Sequence, residues 1–282
     1  MQVIQERPRS KVWAMTFDKA VEGAVKRDRL VVVIALGFVV ALSWIYVLAG
    51  AGMNLSAFET ARTSSGEGSM GMMIPAVWDL DYAGLMFVMW WVMMIAMMLP
   101  SATPMVLLFA TINRKQKASG NPYVPTTFFA SAYLIVWAGF SIVAVALQWG
   151  LEATALLSPK LMSANVILSA GLLIAAGIYQ LTPLKQACLK HCRSPLQFVL
   201  TRWRSGPGGA FRMGIEHGAY CVGCCWFLMG LLFFGGVMNL YWIGGIAVFV
   251  LLEKTIPVGH WMSHVVGVAL MIWGGVIFLG AI

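Results

Sequence analysis

Long apolar runs recur along the chain, separated by short polar or charged segments. They fall at residues 30–50, 82–111, 126–149, 161–181, 213–236, 238–254 and 259–281. A helix needs ~20 mainly apolar residues to cross the hydrocarbon core of a bilayer, and most of these runs approach or exceed that length. The expected fold is therefore all-α: a polytopic transmembrane bundle of about seven helices. The sixth run is the shortest, because Glu253 and Lys254 arrive early and Pro257 follows. It is either a short span or a re-entrant segment, the latter tolerable only where protein or water covers its backbone.

Composition removes the soluble alternatives. The 282 residues are 60% hydrophobic and 11% charged, against roughly a quarter charged in soluble proteins. Residues 1–29 are polar and mixed in charge, and the run after them is long enough to span, so a cleavable signal peptide is not expected. Residues 12–29 read either as an amphipathic surface helix, with Val12, Trp13, Phe17, Ala20, Val21 and Ala24 toward lipid, or as a solvated linker.

The basic residues set an orientation. Positive charge collects in cytoplasmic segments. Seven Lys and Arg precede the first run, Arg114, Lys115 and Lys117 follow the second, and Lys185, Lys190, Arg193, Arg202, Arg204 and Arg212 follow the fourth. With Lys254, seventeen of the 19 fall on one side, leaving Arg62 and Lys160 opposite. Seven helices with a cytoplasmic N-terminus account for that bias. The net charge of +8 then reflects topology and anionic lipid, and nucleic acid is not an expected partner. On this reading residues 1–29 are a basic cytoplasmic segment and residues 30–282 the membrane domain. An acidic stretch at residues 51–81, with Glu59, Glu67, Asp79 and Asp81, is either a docking surface or a solvated loop.

Chemistry concentrates in HGAYCVGCC, residues 217–225. His217, Cys221, Cys224 and Cys225 share a helical face, extended one turn earlier by Met213. At ~1.5 Å per residue, His217 and Cys225 stand roughly 12 Å apart along the axis, too far for one ion to take both. The face is a ladder of exchanging sites, a site around His217 and Cys221, or a packing surface, since free cysteine packs as a small hydrophobe. His260 and His264, spaced i and i+4, form a candidate chelating pair. Without HExxH, no metalloprotease is implied. Glu253 is a candidate ligand, a hydrogen-bond acceptor for a ligating histidine, or the partner of Lys254 in an interfacial ion pair.

The second run holds six of the chain's 19 methionines within thirteen residues: Met86, Met89, Met93, Met94, Met97 and Met98. Packing is one account of them. A soft exchange path built around Met93, Met94, Met97 and Met98 is the other, because thioethers beside thiolates and imidazoles favour copper(I), with zinc and iron as alternatives. Cys188 and Cys192, with His191 between them, lie in the basic segment after the fourth run and read equally as metal capture or structure. No structural disulfide is expected in a reducing compartment.

Three motifs carry a resemblance: WWVMMIAMMLPSATPM (residues 90–105), HGAYCVGCCWFLMG (217–230) and LLEKTIPVGHWMSH (251–264). Together they resemble a family of bacterial integral membrane proteins described as predicted metal-binding, a domain of unknown function. The resemblance implies a multi-pass protein of the bacterial cytoplasmic (inner) membrane with a metal function, and no particular reaction. A membrane or soluble metal-donor protein is the partner such a function calls for, besides the bilayer. The competing readings are a thiol–disulfide relay through Cys221 and Cys224, and an accessory subunit whose cysteine and methionine faces are helix contacts.

Overall fold

Apolar runs supply the long helices, and proline-led caps supply the short ones between them. The computed structural model describes residues 9–51, 78–118, 124–157, 165–256 and 259–280, with side-chain surroundings for all of these except residues 9–28, 115, 117–118 and 259–260. The lipid-facing side chains expected within residues 12–29, together with Glu59, Glu67, Arg62, Lys160, Pro257 and the side chain of His260, lie outside that description.

Among the described residues the chain is helical throughout, without strands. The order is α1 (Arg9–Leu48), α2 (Leu80–Ala118), α3 (Thr126–Ala153), α4 (Val166–Leu181), α5 (Pro183–Arg193), α6 (Pro195–Arg202), α7 (Gly206–Gly230), its one-turn continuation α8 (Leu232–Gly235), α9 (Leu240–Thr255) and α10 (Gly259–Leu279). Residues 9–29 run into the first apolar stretch as one continuous helix.

Among the described residues five helices are long and apolar enough to cross a membrane: Arg29–Leu48, Leu80–Arg114, Thr126–Ala153, Gly206–Gly235 and Trp261–Leu279. A sixth arises if α4 and α5, bent by 65° at their junction, count as one span. The two remaining expected spans, at residues 161–181 and 238–254, fold as helices of 16 residues. Each is about 24 Å long at 1.5 Å per residue, short of the ~30 Å hydrocarbon core.

The bend between α4 and α5 has a local cause. Thr182 precedes Pro183 and is held extended at φ −70°, ψ 145°, as residues before proline usually are. Its hydroxyl accepts from Lys185 N at 3.3 Å, so the residue that ends α4 also caps α5. Ser194–Pro195 likewise sets a proline in the first turn of α6, without a side-chain cap from Ser194. Proline suits the first helical turn, and the basic segment expected as a loop is therefore two short helices.

Large apolar side chains lie exposed on the outer surface, which is compatible with a membrane protein. Phe38 of α1, Ile142 of α3 and Ile272 of α10 are each at least 60% exposed, among many such residues. α7 packs against α3 and α5 and meets the methionine face of α2.

Candidate metal centre

Met213, His217, Cys221, Cys224 and Cys225 of α7 are all buried, as expected for one helical face. Two glycines allow α3 to lie close against it. A Cβ at Gly214 would collide with the carbonyl of Phe129, and one at Gly218 would sit 2.9 Å from Val136 Cβ. Small residues of this kind let membrane helices pack tightly. The approach places the Tyr133 hydroxyl 3.1 Å from Cys221 Sγ, and the same hydroxyl donates to the Met98 carbonyl at 3.3 Å.

Sulfur converges here from three helices. Cys225 Sγ lies 3.8 Å from Met98 Sδ of α2, and Cys224 Sγ lies 4.0 Å from Cys192 Sγ of α5. Two sulfurs bound to one ion at ~2.3 Å stand roughly 4 Å apart at a trigonal angle, so both pairs are spaced for a shared ion. Cys224 and Cys225 turn their thiols to the Cys221 carbonyl, at 3.1 and 2.9 Å. All five cysteines are free, and all but Cys188 are buried. Among the described residues, no three His, Cys, Asp or Glu side chains form a ready-made cage for one ion. The donors that pair are thiols with a thioether or with each other.

The two charges that end α9 point to different partners. Glu253 and Lys254 are sequence neighbours, which do not face each other on a helix. Lys254 is only 7% exposed, and its Nζ donates to Cys221 Sγ at 3.0 Å and to Ser101 Oγ at 3.1 Å. Glu253 accepts from Lys185 Nζ at 2.6 Å and from Ser263 Oγ at 2.5 Å. The Lys185 ammonium also donates to Gln180 Oε1. Buried charge is costly unless paired, and here one carboxylate and one sulfur take the two ammonium groups. Lys185 and Lys254, counted among the interfacial basic residues by sequence position, are interior groups.

His217 sits among Phe129, Tyr133 and Phe198, with ring centroids 6.0, 5.8 and 5.7 Å away. Its Nδ1 is buried without a hydrogen-bond partner, a condition worth about 1–3 kcal/mol of lost stability. Met93, Met94, Met97 and Met98 are all between 0 and 1% exposed, and Met98 is the one that reaches a cysteine. His264 lies on the exposed side of α10, while its buried neighbour Ser263 serves Glu253. The structure thus gathers His217, the three cysteines of α7 and Met98, and it leaves His264 outside that buried group.

Lys254, Tyr133 and Ser101 complete the surroundings and were not among the residues the spacing picked out as a site; Cys192, read from sequence as either metal capture or structure, joins them. For Cys192 a signal existed: Cys188 and Cys192 stand at i and i+4, and α5 turns that face toward α7, where Cys188 packs against Gly223. A cavity of about 790 Å³ lies elsewhere, between α3, α4 and α7. Its walls are apolar, including Phe140, Leu147, Leu172 and Trp226, and Met229 supplies its only sulfur.

No curated protein and no solved structure matches the chain. Residues 87–277 do match a family, from within α2 to near the end of α10. The matched span contains the methionine run from Met89 on, the cysteine face and the Glu253–Lys254 pair, and it supports the metal-related family that the motifs suggested. The chain belongs to the copper chaperone family PpoB2.

Proposed function

We propose that this protein is a multi-pass protein of the bacterial cytoplasmic membrane that holds copper(I) inside its helix bundle and passes it on. The observation that carries this reading is the buried approach of Cys225 Sγ to Met98 Sδ at 3.8 Å, two residues 127 apart in sequence. Thiol and thioether together select copper(I) over hard ions, and the family is one of copper chaperones. Cys221, Cys224 and Cys192 extend the sulfur set, so the ion has neighbouring ligands to which it can move.

His217 offers a further donor one turn from Cys221 through its unpartnered Nδ1. Met93, Met94 and Met97 form the approach along α2. Glu253 acts by neutralising Lys185, which fixes α5 and therefore Cys192. His264 and His260, at the start of α10, fit an exchange position at the rim of the bundle. The charge bias supports a cytoplasmic N-terminus, and a donor or acceptor protein for copper is the expected partner.

Competition for copper(I) against a coloured chelator, using detergent-purified protein under reducing conditions, tests the proposal. The wild type should bind copper(I) tightly and resist displacement by zinc. Met98→Leu keeps volume and apolarity nearly constant and should weaken binding roughly tenfold, about 1.4 kcal/mol. Equal affinity in wild type and Met98→Leu would remove the thioether from the site.

A further inference from the structure

The methionine face of α2 does not stop at the cysteines. Met86, Met89, Met93 and Met97 follow one another at three- and four-residue steps, and each is 0 or 1% exposed. Met86 lies about 18 Å along the axis from Met98. At that far end the structure holds a second polar cluster. Gln148 of α3 is fully buried, and its Nε2 donates to Glu152 Oε1 at 3.0 Å and contacts Met86 Sδ at 3.5 Å. Trp90 Nε1 donates to Gln148 Oε1 at 2.8 Å, and Trp78 Nε1 donates to Glu152 Oε2 at 2.9 Å.

Two features make this cluster more than a helix contact. Glu152 is partly buried, and among the described residues no Lys or Arg is paired with it. Its carboxylate and the Met86 thioether both converge on one amide NH2 group. Acceptors that converge on a donor also suit a cation, and a rotation of the Gln148 amide would free both. Ionisable groups within spans mark ion pathways more often than packing.

We propose that Glu152 and Met86, positioned by Gln148, form a second soft-cation site: the port through which copper(I) is loaded onto the methionine face. Glu152 attracts the ion and Met86 gives it the first soft ligand. Methionines at successive turns carry it onward, since each step spans only about 4.5–6 Å of rise and thioether side chains are flexible. Lys254 marks the other end. The path is negative where the ion enters and positive beside Cys221, where it stops. The proposal rests on the reading that the cysteines and Met98 are the copper(I) site.

Stopped-flow transfer of copper(I) from a coloured chelate to the full-length protein in detergent separates the two ideas. Steering by a charged group raises association rates by 10-fold or more. Glu152→Gln, which keeps size and hydrogen-bonding capacity, should therefore load roughly tenfold more slowly while reaching the same final copper content. The difference should narrow at high salt, where the attraction is screened. Met86→Leu should also slow loading, with no narrowing at high salt, and it carries the same expectation if Glu152→Gln fails to assemble. Wild-type loading rates in Met86→Leu and in assembled Glu152→Gln would overturn the port. Full copper content in Cys225→Ser would instead overturn the cysteine site, whatever the rates show.

Discussion

Lys185→Met should destabilise the protein by about 3–5 kcal/mol, the usual consequence of removing one partner from a buried ion pair. Lys185 and Glu253 are both fully buried, 2.6 Å apart. The substitution leaves the carboxylate with Ser263 as its hydrogen-bond donor, and with Oε2 already unpartnered. Whole proteins are stable by only about 5–15 kcal/mol, so the variant should unfold at much lower temperature or denaturant. Lys185→Met/Glu253→Gln should recover most of the loss, because replacing both members of a buried pair is often neutral. Thermal unfolding in detergent, followed by circular dichroism, measures both variants. A single variant as stable as wild type would mean that the pair does not tie α5 to α9.

The second large effect falls on copper. Cys221→Ser and Cys225→Ser should each lower copper(I) affinity at least a hundredfold, about 2.8 kcal/mol. Substitutions in the surroundings of metal ligands commonly cost 10–100-fold, and a lost sulfur ligand should exceed that range. Serine preserves size while replacing a soft donor by a hard one, so affinity for zinc should fall less. Chelator competition on the purified variants gives both numbers. Copper affinity within threefold of wild type in both would leave the α7 cysteines as packing residues. Trapping a Cys221–Cys224 disulfide in cells would favour the thiol relay instead.

Much of the candidate site was legible because helical spacing is local. His217, Cys221, Cys224 and Cys225 share a face by number alone, and the structure buries that face. The methionine run was visible in the same way. What spacing cannot give is direction. His260 and His264 share a face of α10, yet nothing in their spacing says that this face turns outward at His264. Glu253 and Lys254 read naturally as one pair, but the turn of α9 sends one to Lys185 and the other to Cys221. Cys192 was a candidate by its spacing from Cys188, but its approach to Cys224 was not legible, since a basic segment looked like a loop until Thr182–Pro183 started a helix that folds back onto α7. Two of the seven apolar runs fold as helices too short for a straight span, for a related reason. Apolar composition fixes where helices form, while caps such as Asn165 and Asn239 shorten them to 16 residues.

Copper K-edge X-ray absorption on the copper(I)-loaded protein tests the central claim most directly. The account predicts a first shell dominated by sulfur at about 2.3 Å, with one sulfur fewer in Cys225→Ser and no change in Glu152→Gln. A first shell made mainly of nitrogen or oxygen, unchanged in Cys225→Ser, would contradict it.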